Sequence, residues 1–152
     1  MIRETLLIED NSHKRSKITE FIHSLCLPIS LDDARSFSSG CKKFESRNYE
    51  IILADISLPT YDKADIESGG KFRPFAGREI ARKISRLNLS CTIIFITQYK
   101  AFSDRGMSYS FDDLKEILKT ECAGRFGGMV YYDPSQYGWK EQLKIALEAV
   151  TK

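Results

Sequence analysis

The feature that most constrains the fold is a regular alternation between short apolar runs and segments whose apolar residues recur every three or four positions. The runs TLLI, EIILAD, CTIIFIT and GGMVYYDP predict buried strands, and PISLDDA predicts a shorter one. The segments between them have helical spacing, as with Ile18, Phe21, Ile22 and Leu25. Helical crossovers leave neighbouring strands parallel. The pattern therefore predicts an α/β fold, a doubly wound five-stranded parallel sheet with helices on both faces.

Several local features predict where the helices begin and where one of them is interrupted. Ser12 is expected to cap the first helix, and Ser110 with Asp113 forms a capping-box pattern before a later one. The second helical segment, FSSGCKKFESRN, contains Gly40, which predicts a break or a loosened turn there. The final helix is expected to turn Trp139 and the apolar residues that follow it inward.

Length and charge limit the classes of function. A chain of 152 residues with 42% hydrophobic content suits a single domain spanning residues 1–152. The 23 basic and 21 acidic residues nearly balance, which gives no indication of a nucleic-acid or membrane partner. No apolar stretch approaches the length that spans a bilayer, and we therefore expect a cytoplasmic protein.

Polar side chains stand where three of the predicted strands end. Glu9 and Asp10 follow the first strand, Asp55 ends the third and Thr97 ends the fourth. In doubly wound sheets the functional site lies beyond the carboxyl ends of the strands, so these residues are expected to converge. Clustered carboxylates repel one another unless a cation lies among them, and hard oxygen ligands favour Mg2+. The sequence therefore predicts a magnesium site.

The segments LLIEDN, IILADISLP, IIFIT and VYYDP together resemble the receiver domain of two-component response regulators over nearly the whole chain. The resemblance implies a flavodoxin-like topology and a phosphoryl group accepted on Asp55. It implies Mg2+ held by Glu9, Asp10, Asp55 and the backbone carbonyl of Ser57. Thr97 matches the hydroxyl residue that responds to the phosphoryl group. An ionised aspartate attacks phosphorus readily only when a cation neutralises both groups, which agrees with that assignment.

The same resemblance implies a role in phosphorelay signal transduction. The expected partners are a sensor histidine kinase or phosphotransfer protein and a downstream protein effector, with no direct contact to nucleic acid or membrane. No catalysis is expected beyond the domain's own phosphoryl transfer.

The alternative is a pseudo-receiver that binds partners without being phosphorylated. A phosphatase of the haloacid dehalogenase type is disfavoured, because it needs DxD and the chain has Asp55-Ile56-Ser57. A flavodoxin-like cofactor role is disfavoured because acids follow the first strand.

The chain departs from the receiver pattern after the fifth strand, where the dipeptide DP puts Asp133 in place of the lysine that contacts the phosphoryl group. Replacing a cation by an anion about 4 Å from a unit charge changes their interaction by several kcal/mol at an effective dielectric of about 20. A basic residue from elsewhere is therefore predicted to contact the phosphoryl group. Lys100, three residues after Thr97, is the first candidate, and Lys71 or Arg73 is the second.

Two segments near the same end of the sheet are longer than a compact receiver needs. Residues 61–76 have the glycine-rich and basic composition of a mobile lid or docking segment. The segment QYKAFSDRGMSY is expected to bring Lys100 and Arg105 close to Thr97. The aromatic position of the fifth strand that pairs with the responding hydroxyl in receivers matches Val130 here. This departure puts the usual coupling of a hydroxyl to an aromatic ring in question.

Overall fold

The computed structural model describes residues 1–152 and contains nine strands and five helices. The strands are β1 (Arg3–Ile8), β2 (Ile29–Ala34), β3 (Ile51–Ala54), β4 (Leu58–Pro59), β5 (Phe72–Arg73), β6 (Thr92–Thr97), β7 (Ala101–Asp104), β8 (Met107–Ser110) and β9 (Phe126–Tyr131). The helices are α1 (Ser12–Ser24), α2 (Phe37–Ser46), α3 (Ala76–Arg86), α4 (Phe111–Glu121) and α5 (Gly138–Thr151).

The central sheet has five parallel strands in the order β2-β1-β3-β6-β9. The chain winds first to one side of β1 and then to the other, which is the flavodoxin-like order of doubly wound sheets. The predicted fold class is confirmed. The order reverses beside β1 and β3, so the crevice at their carboxyl ends is the expected place for a functional site.

Alternate residues of the strands form two apolar layers, one on each face of the sheet. Leu6 and Ile8 belong to a cluster of 21 buried residues under α2, α3 and α4, whereas Leu7 and Leu53 belong to one of 13 under α1 and α5. Strands buried on both faces read as nearly continuous apolar runs, which is why the sequence marks them so clearly. None of the five helices is long and apolar enough to cross a membrane.

Two local expectations about the helices are wrong. Asn11, not Ser12, caps α1, and its side-chain oxygen accepts a hydrogen bond from the Lys14 backbone N–H at 2.9 Å. Helix α2 runs without a break through Gly40, because the missing side chain there allows the helix to approach β1. A Cβ at Gly40 would lie 2.7 Å from Ile8 Cδ1. The capping box of Ser110 and Asp113 is present as predicted.

The two long segments are ordered hairpins rather than open loops. In residues 61–76, β5 pairs antiparallel with β4, which precedes the segment, and the Arg73 Nε donates a hydrogen bond to Thr60 Oγ1 at 3.0 Å. The second segment forms the antiparallel pair β7 and β8. Arg105 lies at the tip of this second hairpin with a positive φ of 49°, after the four residues of β7.

We predict that Gly40→Val lowers the free energy of unfolding by about 1–3 kcal/mol, because added methyl groups would press on the buried side chain of Ile8. Urea unfolding followed by circular dichroism measures the change. The matched control is Gly138→Val, since a Cβ at Gly138 meets no atom within 4 Å. Equal effects of the two substitutions would contradict the packing role of Gly40.

Candidate functional site: an acidic pocket closed by a buried lysine

The carboxyl ends of β1 and β3 bring three acidic side chains together. Glu9 follows β1 directly and Asp55 follows β3 directly, and the two parallel strands end side by side. Ligand oxygens of Glu9, Asp10 and Asp55 all lie within 4.8 Å of one another. Glu9 and Asp55 are buried, whereas Asp10 is half-buried. This spacing suits a single divalent cation held by carboxylate oxygens.

A buried lysine from α1 lies among these acids. The Nζ of Lys14 is 2.7 Å from Glu9 Oε1, 3.0 Å from Asp55 Oδ2 and 2.9 Å from the carbonyl oxygen of Ile96. Its side chain is only 2% exposed. An ammonium has three N–H donors, so these three contacts satisfy all of them. Lysine is almost never fully buried unless it is paired, and here the pairing is complete.

The charges of the pocket do not balance. With Glu9, Asp10 and Asp55 ionised and Lys14 protonated, negative charges exceed positive ones by two. Burial, and next the charge of Asp55, raises the pKa of Glu9 to about 8, even though Lys14 acts in the opposite direction. The same two causes raise the pKa of Asp10. Burial by itself would lower the pKa of Lys14, but Asp55 and Glu9 outweigh it and raise that pKa, so the lysine stays charged.

Asp55 is held by the turn that follows β3. Its Oδ1 accepts a hydrogen bond of 2.6 Å from the backbone N–H of Ile56, while Oδ2 accepts from Lys14. The start of α3 packs against the same turn, where the Gly77 N–H donates to the Ile56 carbonyl at 2.9 Å. A Cβ at Gly77 would lie 3.2 Å from the Asp55 carbonyl oxygen, so the absence of a side chain permits this close packing.

The pocket is a small opening of about 130 Å³ next to the three acids. Besides the acids and Lys14, its walls include Ser57, Phe72 of the first hairpin and Tyr99 before the second. Thr97 is fully buried at the end of β6, and its Oγ1 accepts a hydrogen bond from the Tyr99 N–H at 3.3 Å. The Ser57 hydroxyl donates to the Pro74 carbonyl at 2.8 Å, which joins the β3 turn to the end of the first hairpin.

Lys100 and Asp133 lie to one side of this pocket. The Lys100 side chain is exposed, with its Nζ 4.8 Å from the centre of the Tyr131 ring, and it does not line the opening. The Asp133 carboxylate accepts hydrogen bonds from the backbone N–H and the hydroxyl of Ser135. Those bonds, together with the more distant Lys100, hold the pKa of Asp133 below its ordinary value. Val130 is buried in β9 opposite Ile96.

Lys14 is the residue of the pocket that the sequence prediction missed. Its position relative to Ile18 and Ile22 is the helical i, i+4, i+8 spacing, and all three side chains are buried. Lys14 therefore lies on the apolar face of α1, and two acids precede this helix. This combination indicates a lysine that is buried against the acids. Arg15 beside it is also buried, and its Nη1 donates to the Glu9 carbonyl oxygen at 3.0 Å.

Comparison with known proteins agrees with the fold. No family model matches the chain. A relative from Sinorhizobium fredii, the uncharacterized protein y4jR, is 27% identical over 145 residues, which cover 94% of this chain and 95% of that protein. Among solved structures, response regulator TrrA of Thermotoga maritima, in complex with Mg2+ and BeF, matches with a TM-score of 0.65 and 17% identity. The match covers 98% of this chain and 99% of that one.

Two further structures give the same result. The signal receiver domain of a LuxO repressor protein from Vibrio parahaemolyticus matches with a TM-score of 0.69 and 14% identity, over 99% of this chain and 91% of that one. The chemotaxis response regulator CheY4 of Vibrio cholerae matches with a TM-score of 0.64 and 13% identity, over 99% of both chains. The chain therefore has the fold of response-regulator receiver domains.

The raised pKa of Glu9 predicts how the stability of the metal-free protein depends on pH. Because the folded-state pKa of about 8 exceeds the ordinary value of 4.5, the folded protein binds this proton more tightly than the unfolded chain does. The resulting stabilisation is present below about pH 4.5 and is lost as the pH rises towards 8. We expect Glu9→Gln to remove most of this loss in urea unfolding measured with a chelator present. Glu148→Gln, at an exposed position, is the control; an unchanged pH profile in Glu9→Gln would refute the assignment.

Proposed function

We propose that residues 1–152 form a single receiver domain that accepts a phosphoryl group on Asp55 in a phosphorelay. The observation that carries this proposal is the placement of Asp55 in the receiver fold: it directly follows β3, with a carboxylate oxygen within 4.8 Å of one oxygen each of Glu9 and Asp10, beside a small opening to solvent. The nucleophile in this transfer is a carboxylate oxygen of Asp55. It forms a bond to phosphorus as the donor's bond to phosphorus breaks and the donor keeps the electron pair.

Glu9, Asp10, Asp55 and the backbone carbonyl of Ser57 would hold Mg2+ in this domain. The fit is supported by the spacing of the carboxylate oxygens and by the negative charge by which the three acids, when ionised, exceed the charge of Lys14. Hard carboxylate oxygens are the donors that Mg2+ prefers. When bound, the ion neutralises negative charge on the carboxylate and on the incoming phosphoryl oxygens. Glu9 and Asp10 thus act as the acidic pair, and Asp55 keeps its role as the acceptor.

Thr97 is the proposed hydroxyl that responds to phosphorylation. It ends the strand next to β3, and its hydroxyl oxygen bonds the backbone of Tyr99, directly before Lys100 and the second hairpin. A hydroxyl drawn towards a phosphoryl oxygen would release the Tyr99 N–H and so alter the start of this segment. The usual aromatic partner is replaced by Val130, so the second hairpin, and not a rotating ring in β9, is proposed to transmit the change.

The proposed partners are a sensor histidine kinase or phosphotransfer protein as donor and a protein effector as recipient of the signal. A direct role with nucleic acid or a membrane surface is not proposed, because the net charge of +2 gives no indication of either partner. We propose a cytoplasmic location and no catalysis beyond the domain's own phosphoryl transfer. Of these proposals, the phosphoryl donor and the domain's own phosphoryl transfer depend on the phosphorylation of Asp55.

A second candidate function is a pseudo-receiver that binds proteins without being phosphorylated. One observation favours it: Lys14 already bonds both Glu9 and Asp55, so an internal cation partly occupies the role of a metal. Asp133 in the position of the missing lysine favours it as well. The two functions differ in whether Asp55 reacts with a phosphodonor, and this can be measured directly.

We expect the purified protein, incubated with Mg2+ and acetyl phosphate, to gain a single phosphoryl group by intact mass. Asp55→Asn should gain none, because the amide oxygen is a poor nucleophile. Asp65→Asn is the matched control, since Asp65 is exposed in the first hairpin, and it should be labelled like the parent. Absence of an adduct with every small phosphodonor would favour the pseudo-receiver.

Magnesium binding is predicted without a phosphodonor. Isothermal titration should show a single weak site that weakens roughly tenfold or more in Asp10→Asn, because a charge pair about 4 Å apart contributes on the order of 1–4 kcal/mol. Asp65→Asn again serves as the control at an exposed carboxylate. Equal Mg2+ affinity of the parent and Asp10→Asn would show that the metal lies elsewhere.

A further inference from the structure

The lysine that receivers carry after the fifth sheet strand is missing here, but its charge is not missing from the pocket. Lys14 is the only basic side chain within hydrogen-bonding distance of the Asp55 carboxylate, at 3.0 Å. It reaches that carboxylate from α1 and not from the segment after β9. The positive charge next to Asp55 therefore comes from α1 in this chain, whereas in receivers it comes from the segment after the fifth sheet strand.

The position of the Lys14 ammonium is fixed by its neighbours. Glu9 Oε1 and the Ile96 carbonyl oxygen hold two of its three N–H donors, and the third points to Asp55 Oδ2. The Nζ also lies 5.7 Å from the centre of the Tyr132 ring, which covers it from the side of α5. Two fixed donors orient the third, so the donor facing Asp55 is already aligned before any ligand arrives.

No other basic candidate has this arrangement. Lys100 is exposed above the Tyr131 ring. Arg73 donates to Thr60 and is paired with Glu79 at 2.7 Å. Lys71 is exposed next to a separate opening between the two hairpins. Each of these side chains would have to abandon its contacts or cross the surface to reach Asp55, whereas Lys14 already touches it.

We propose that Lys14 contacts the phosphoryl group on Asp55 and so replaces the missing lysine; this rests on the proposed function of Asp55 as acceptor. When one Asp55 oxygen forms the bond to phosphorus and the donor leaves with its electron pair, the Asp55 carboxylate gives up its own charge. The phosphoryl group brings about −1.5 to −2 charges to the same place. The Lys14 donor that bonded Asp55 Oδ2 then bonds a phosphoryl oxygen, and its bonds to Glu9 and Ile96 remain. A charged hydrogen bond of this kind is roughly twice as strong as a neutral one.

The proposal differs from a purely structural role of Lys14 as the counter-ion of Glu9 and Asp55. A structural counter-ion would affect folding and Mg2+ binding, but it would leave the affinity for a phosphoryl analogue unchanged once Mg2+ is bound. A lysine that contacts the phosphoryl group would instead contribute directly to the affinity for the phosphoryl analogue, also when Mg2+ is bound. Removing Lys14 also takes one positive charge away from a pocket that already carries excess negative charge, so Mg2+ affinity should stay equal or increase.

The test measures Mg2+ and beryllofluoride binding to the full chain by titration calorimetry and fluorine NMR, together with adduct lifetime by intact mass. Lys14→Met should bind beryllofluoride about ten- to a hundred-fold more weakly, the usual cost of one hydrogen bond to a charged group, and should bind Mg2+ at least as tightly as the parent. Lys100→Met is the matched comparison and should keep both affinities. The proposal would be overturned if Lys100→Met lost beryllofluoride binding while Lys14→Met kept it. It would also be overturned if Lys14→Met showed unchanged beryllofluoride binding and unchanged adduct lifetime.

A second pair of variants covers a failure of Lys14→Met to fold. The double variant Lys14→Met with Glu9→Gln removes the buried ion pair together, and its comparison with Glu9→Gln alone isolates the contribution of Lys14. Weaker beryllofluoride binding in the double variant supports the proposal, and equal binding refutes it. A parent protein that takes up neither beryllofluoride nor a phosphoryl group would refute the proposed function and the role of Lys14 together. If the parent protein binds beryllofluoride or gains a phosphoryl group, and Lys14→Met does so to the same extent, only the role of Lys14 is refuted.

Discussion

The contact between Lys14 and the acids Glu9 and Asp55 is the interaction on which the site depends. Two carboxylates at the ends of adjacent strands, both buried, would repel each other strongly at low local dielectric. A single ammonium at 2.7 Å and 3.0 Å makes their proximity tolerable. Removing one partner of such a buried arrangement costs about 3–5 kcal/mol, because a charge is left without compensation. The position of α1 against the sheet is thereby tied to the electrostatics of the pocket.

One lysine does not neutralise three acids, and this imbalance links stability to function. Burial, and next the negative charge of Asp55, raises the pKa of Glu9 to about 8, so the pocket competes for a proton near neutral pH when no metal is present. A divalent cation would match the remaining charge without a proton. A bound cation would relieve this unfavourable charge, and carboxyl groups with strongly perturbed pKa values cluster at functional sites.

Much of this could be predicted from the sequence, because the central strands are buried on both faces and so appear as apolar runs that end in Glu9, Asp55 and Thr97. What the sequence did not predict depends on contacts between distant residues. The strands of the two hairpins are only two residues long in β4 and β5 and four residues long in β7 and β8, too short to show a clear apolar alternation. Gly40 was predicted to interrupt α2, but it is needed for close packing against Ile8 of β1, a contact that the sequence does not show. Lys14 lies within α1 and not after a strand end, so the rule that places functional residues at the carboxyl ends of strands does not include it, although its spacing from Ile18 indicates a buried position.

The two hairpins and Lys14 together determine from which side Asp55 is accessible to solvent. Lys14 fills the space between Asp55 and Glu9 from the side of α1, and it is almost completely buried. Phe72 from the first hairpin and Tyr99 at the base of the second form part of the opening, where Asp10 is half-buried. A group that reaches Asp55 from solvent would pass between Phe72, Tyr99 and Asp10. Lys14 lines the inner wall of the same opening, so in its proposed role the ammonium would lie within reach of a group transferred to Asp55.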